Sequence, residues 1–91
     1  MNTIKTVGVV GCGTMGTGIA IVVARAGYKL RAYDNRAELA EQGRRQAAAF
    51  LRKSVERGKL AAGEDEVILA NWHASDDIQS LADCDIIIEA V

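Results

Sequence analysis

Gly11, Gly13 and Gly16 stand at G-x-G-x-x-G spacing within Val7-Gly-Val-Val-Gly-Cys-Gly-Thr-Met-Gly16, directly after an apolar run. Glycines at this spacing let a backbone hold phosphates. The first permits a tight turn, the second lets a pyrophosphate approach the main chain, and the third lets a helix pack close to the preceding strand. A helix beginning near Thr14 would aim its free N–H groups and the positive end of its dipole at the phosphates. Asp34 closes a second apolar run, Tyr28 to Tyr33. A carboxylate there can accept hydrogen bonds from the adenosine ribose and repels a 2′-phosphate. A glycine triplet alone could serve packing. In a strand–turn–helix setting with the acid in place, it predicts a dinucleotide site with NAD as the cofactor.

The elements that must position these residues follow from the pattern. Residues 4–10 read as a continuous apolar strand, as expected in a parallel sheet. Residues 14–26 read as a helix with Met15, Ile19, Val22, Val23 and Ala26 on one side, ended by Gly27. Leu30 to Tyr33 make the second strand. Residues 36 to about 58 form a long helix with a thin apolar stripe of Leu39, Gly43, Ala47, Phe50, Leu51 and Val55. So narrow a stripe suggests a helix projecting from the domain body. After a turn at Gly58-Lys59-Leu60 and Gly63, residues 64–71 read as a short returning helix. A short strand segment before Asp76 and a buried parallel strand from Ile86 to Val91 complete the order. The expected fold is thus α/β: a Rossmann-type parallel sheet, first half only, with a helical hairpin (about 36–71) inserted after the second strand.

A chain of 91 residues provides one small domain with a modest core. It contains neither a membrane-length apolar run nor a signal-peptide pattern, so no membrane partner is expected. Cys12 and Cys84 lack disulfide-framework or metal-ligand spacing; with no targeting segment, this suits a reducing, cytoplasmic setting. A thiol at a helix N-terminus can be activated. Cys12 is read instead as a small residue filling the turn, without a redox role. All eleven Lys and Arg residues lie at or before Lys59, whereas eight of the twelve acids lie after it. The near-neutral total therefore hides a basic and an acidic part. No aromatic interleaving or nucleic-acid motif accompanies the basic part, so no nucleic-acid partner is expected.

A dinucleotide fold has two βαβαβ halves, and only the first is legible here. The sequence therefore reads as the N-terminal piece of a longer enzyme. Its nicotinamide pocket, substrate floor and catalytic residues are expected beyond Val91.

The string Val7-Gly-Val-Val-Gly-Cys-Gly-Thr-Met-Gly-Thr-Gly-Ile-Ala20 resembles the opening of the 3-hydroxyacyl-CoA dehydrogenases, including the 3-hydroxybutyryl-CoA enzymes. Tyr33-Asp34, the Arg57-Gly-Lys-Leu60 loop and Ala82-Asp-Cys-Asp-Ile-Ile-Ile-Glu-Ala-Val91 match in order. The resemblance covers essentially the whole chain. It implies oxidation of an L-3-hydroxyacyl-CoA to a 3-ketoacyl-CoA with hydride passing to NAD, in fatty acid or butyrate-type metabolism. By the same resemblance Gly11, Cys12, Gly13, Thr14, Met15 and Gly16 would bind the pyrophosphate, and Asp34 the adenosine ribose. Ala90 and Val91 would line the crevice near the nicotinamide-side ribose. The helical hairpin would help hold the acyl-CoA, with Lys53 and Lys59 facing the CoA phosphates, unless they merely belong to a solvated helix face. Phe50 stands where some relatives carry a CoA-contacting hydroxyl. The catalytic His and its orienting Glu would lie downstream, in an enzyme that dimerises through a C-terminal helical domain. His73 is accordingly read as a packing or surface residue and Glu89 as a strand-end residue of the crevice. Two alternatives stay open: another NAD-dependent hydroxy-acid or gulonate-type dehydrogenase, and a non-catalytic NAD-binding module.

Overall fold

The computed structural model describes residues 3–91. Four parallel strands form one sheet: β1 (Thr6–Val10), β2 (Lys29–Tyr33), β3 (Trp72–Ser75) and β4 (Ile86–Glu89), in the order β3-β2-β1-β4. Helix α1 (Thr14–Arg25) connects β1 to β2. Helices α2 (Ala37–Glu56) and α3 (Glu64–Ala70) lie between β2 and β3, and a 3₁₀ turn at Ile78–Leu81 precedes β4. The order reverses between β1 and β4, which makes the C-terminal ends of those two strands the switch point of the sheet. The expected sequence of elements is therefore present. Gly27, at φ +99°, ends α1 in the left-handed conformation that glycine adopts without a Cβ penalty.

The start of β1 is pinned by Asp85, whose Oδ2 accepts the N–H groups of Lys5 (2.8 Å) and Thr6 (3.0 Å). Those two bonds hold the Asp85 carboxyl below its ordinary range. On the sheet face carrying the 3₁₀ turn, the Arg31 guanidinium forks onto Asp83 at 3.0 and 3.2 Å and also reaches the Ser80 carbonyl at 2.9 Å.

Packing differs from the periodicity reading in three places. First, α1 buries Gly16, Thr17, Ala20 and Ala24, while Met15 and Val22 are 62% and 70% exposed. The helix approaches its neighbours through small residues, and bulkier Ile19 and Val23 flank that seam. Second, α2 does not stand off along its whole length. Ala40, Gly43 and Ala47 are buried, with both alanines in the main core beside Val9, Leu30 and Trp72. The stripe is thin because its members are small enough for close approach, not because the helix lacks a partner. Arg44 adds bonds from that helix to the carbonyls of Leu69 (3.0 Å) and Trp72 (3.4 Å). Phe50, placed in the stripe, is exposed. Third, β4 ends at Glu89 rather than Val91, and among the described residues it stands at one edge of the sheet with Ile86 and Ile87 exposed.

Candidate functional site

The glycine turn leaves β1 at the switch point of the sheet. Gly11 has φ +100°, and its N–H donates to the Tyr33 carbonyl at 2.8 Å, tying the turn to the end of β2. A Cβ at Gly11 would come within 3.0 Å of the Ala90 carbonyl oxygen and 3.1 Å of Val91. Ala90 in turn donates its N–H to the Val10 carbonyl at 2.8 Å. The chain segments after β1, β2 and β4 thus converge on one point.

Gly16 has a different reason to be glycine. A Cβ there would overlap the carbonyl of Gly11, so α1 could not start so close to the turn. Gly13 has no such reason: its φ is −75°, and a Cβ would meet nothing within 4 Å. Thr17 makes the first bond of the helix, donating its N–H to the Gly13 carbonyl at 2.9 Å. The amides of Thr14, Met15 and Gly16 have no acceptor among the described residues and are available to an anion. The Met15 side chain points to solvent, so its contribution to such a site is its amide.

Asp34 is fixed at both oxygens. Oδ2 accepts the Cys12 N–H and Oδ1 the Arg36 N–H, each at 3.0 Å. Each carboxylate oxygen has further acceptor capacity, which remains for a ribose hydroxyl. A cleft of about 200 Å³ opens beside it, lined by Val10, Gly11, Tyr33, Asp34, Asn35 and Val91. A second cleft of about 180 Å³ lies across the turn, between Cys12, Gly13 and Thr14 and the α2 residues Leu39, Gln42 and Gln46. The turn is held from below by Thr17, whose hydroxyl donates to the Cys12 carbonyl at 3.1 Å. Gly43 of α2 sits against that same pair of groups.

Cys12 is buried, and its thiol is pushed up to about 11, first by burial and then by the nearby Asp34 charge. The residue is a buried thiol that fills the turn. Cys84 is likewise shifted upward by burial.

The structure therefore brings together Gly11, Cys12, Gly13, Thr14, Met15, Gly16, Asp34, Ala90 and Val91. Lys53 and Lys59 lie elsewhere, both exposed, Lys53 in the last turn of α2 and Lys59 in the loop beyond it. At ~1.5 Å per residue, Lys53 is about 24 Å along α2 from the end that adjoins Asp34. His73 is exposed on β3, in register with Arg31 and two strands from β1. Glu89 is exposed at the end of β4 opposite Val10. Sequence reasoning overlooked Val10, Tyr33 and Asn35 as cleft walls, and Gln42 and Gln46 as neighbours of the turn. The i, i+4 pair of glutamines on the face of α2 next to Gly43 was the available signal for the latter two.

Comparison with known proteins follows the same line. The family model described as "3-hydroxyacyl-CoA dehydrogenase, NAD binding domain" matches residues 6–91. A probable 3-hydroxybutyryl-CoA dehydrogenase of Deinococcus radiodurans is 38% identical over 84 residues, covering 92% of this chain and 30% of the relative. The 3-hydroxyadipyl-CoA dehydrogenase of Escherichia coli is 41% identical over 90 residues, covering 99% of this chain and 19% of the relative. Among solved structures, a 3-hydroxybutyryl-CoA dehydrogenase from Escherichia coli superposes with a TM-score of 0.93 at 40% identity, over 99% of this chain and 19% of that one. This chain thus spans less than a third of these relatives.

Proposed function

The chain belongs to the 3-hydroxyacyl-CoA dehydrogenase family, whose NAD-binding domain it carries, and from that premise we propose that its protein interconverts L-3-hydroxyacyl-CoA and 3-ketoacyl-CoA with NAD. Gly13 is the observation that carries the cofactor assignment. Neither backbone conformation nor packing requires glycine there, while three unpartnered amides follow it. An open approach to free amides is what a pyrophosphate needs. In this reading Gly11 to Gly16 hold the pyrophosphate, Asp34 accepts the adenosine ribose hydroxyls, and Ala90 and Val91 border the path toward the nicotinamide. NAD, when bound, supplies the hydride acceptor.

The relatives run to several times this length, which supports a longer enzyme with acid–base residues, acyl pocket and dimerising helices in other segments. Such an oxidation needs a general base within hydrogen-bonding reach of the substrate hydroxyl, and His73 is not placed for that role. Lys53 and Lys59 are proposed contacts for the CoA phosphates, on the strength of their charge and exposure. Two free thiols and the absence of any helix long and apolar enough to cross a membrane, among the described residues, accord with the cytoplasm.

The test has two arms. Gly13→Ala should leave the unfolding midpoint unchanged and weaken NADH binding by about tenfold or more, the value of one lost charge-assisted contact. Equal loss of stability and binding would return Gly13 to a packing role. In the second arm, the intact gene product is assayed for NADH oxidation driven by acetoacetyl-CoA, with NADPH and a CoA-free keto acid alongside. Turnover that needs the CoA moiety supports the acyl-CoA reading. NADH binding with turnover of the CoA-free acid instead would assign a different hydroxy-acid dehydrogenase.

A further inference from the structure

The loop leaving β2 carries more cofactor chemistry than Asp34 alone. Asn35 lines the cleft beside Asp34, and the next residue, Arg36, gives its backbone N–H to Asp34 Oδ1 at 3.0 Å. The Arg36 side chain therefore begins next to the carboxylate that would meet the ribose. Two of its donors, Nε and one terminal nitrogen, are turned onto a single oxygen of Glu38, both at 3.2 Å. The Glu38 carboxyl lies below its ordinary range, lowered first by its own backbone N–H and then by Arg36, so the pair stays ionised at neutral pH.

We propose that Arg36 is a latent 2′-phosphate ligand and that Glu38 acts with Asp34 to keep the site selective for NAD over NADP; the proposal rests on the NAD-binding reading above. A guanidinium presents a planar fork that matches phosphate oxygens, and an arginine near this position is how related folds accommodate the 2′-phosphate. In this chain that fork is engaged by Glu38, while the backbone N–H of the same residue is held by Asp34. A 2′-phosphate entering beside Asp34 is repelled by that carboxylate, and the Arg36 donors that could receive it are already turned onto Glu38. The Arg36–Glu38 pair is itself weak, because the two side chains are 64% and 68% exposed. Asp34 thus provides the larger part of the exclusion, and Glu38 decides whether Arg36 is free once Asp34 is gone. Loss of Asp34 alone should therefore damage NAD binding without creating a good NADP site.

The experiment is a fluorescence titration of NADH and NADPH against the full chain and its variants. The unsubstituted chain should bind NADH in preference to NADPH. Asp34→Ser should weaken NADH and leave NADPH poor. Adding Glu38→Gln should tighten NADPH by about tenfold relative to Asp34→Ser, and Arg36→Ala in that background should abolish the gain. Glu38→Gln alone, a substitution of an exposed side chain, should raise the NADPH-to-NADH affinity ratio about threefold, and Arg36→Ala alone should not raise it. An NADPH affinity that is the same with and without Glu38→Gln, or a gain that survives Arg36→Ala, overturns the proposal. Failure of the unsubstituted chain to bind NADH would instead sink the cofactor reading from which it starts.

Discussion

Replacing Gly43 with alanine sets two effects of opposite sign against each other. Gly43 is interior to α2, where alanine is favoured over glycine by about 1 kcal/mol of helix propensity. On that ground alone the variant would be more stable. The new Cβ, however, would stand 2.9 Å from the Thr17 hydroxyl and 3.4 Å from the Cys12 carbonyl oxygen. Thr17 is buried, and its hydroxyl donates to that carbonyl at 3.1 Å. Rotating it away forfeits a hydrogen bond worth about 1 kcal/mol, and overfilling so tight a seam costs about 1–3 kcal/mol more. The expected net is a destabilisation of about 1–3 kcal/mol. With Thr17→Ala already in place the obstacle is gone, and Gly43→Ala should stabilise by about 1 kcal/mol. Urea unfolding followed by fluorescence of Trp72, the single tryptophan and a buried one, measures all four corners of the cycle. The coupling expected is about 2–4 kcal/mol. Stabilisation by Gly43→Ala in both backgrounds, with no coupling, would refute the claim that α2 props the turn through Thr17.

Gly16→Ala should fail where Gly13→Ala is tolerated, because its Cβ would overlap the Gly11 carbonyl. A loss of about 2 kcal/mol or more in unfolding free energy, together with loss of NADH binding, is the outcome to look for. Cys12 should resist iodoacetamide at pH 8 in the folded chain, and alkylation as fast as in urea would contradict its burial. Its thiol is pushed up to about 11 from an ordinary value of 9.0, so the folded state holds the proton longer than the unfolded one. That contribution is intact below pH 9 and is lost as pH climbs toward 11. Cys12→Ala should flatten that alkaline fall, with Cys84 leaving a smaller remainder.

The glycine turn, Asp34 and the element order were legible because each rests on local chemistry. A left-handed residue at Gly11 and the tight contact at Gly16 are written within one short turn, and the carboxylate stands at the end of the next apolar run. The buried faces of the helices were less legible. Periodicity ranks residues by apolar bulk, and α1 buries Gly16, Thr17 and Ala20 while turning Met15 and Val22 outward. Close helix packing selects for smallness, which a hydrophobic stripe does not register. The same blindness made α2 look detached when Ala40 and Ala47 were seating it on the core. For β4, the run of isoleucines reads as a strand buried on both faces, and burial of a face depends on the helices laid over it; among the described residues none covers Ile87, which is exposed. Asn35 went unnoticed because nothing in its type distinguishes a cleft wall from an ordinary turn residue.

The two backbone bonds that hold Asp34 have a kinetic meaning. A carboxylate already locked by the amides of Cys12 and Arg36 has little rotational freedom left to lose when a ribose arrives. Encounter with a dinucleotide then needs no slow ordering of this loop, and association should proceed at a similar rate for every analogue that shares the adenosine end. Discrimination among them would be expressed in residence time: a poorly matched dinucleotide enters as readily as a good one and leaves sooner.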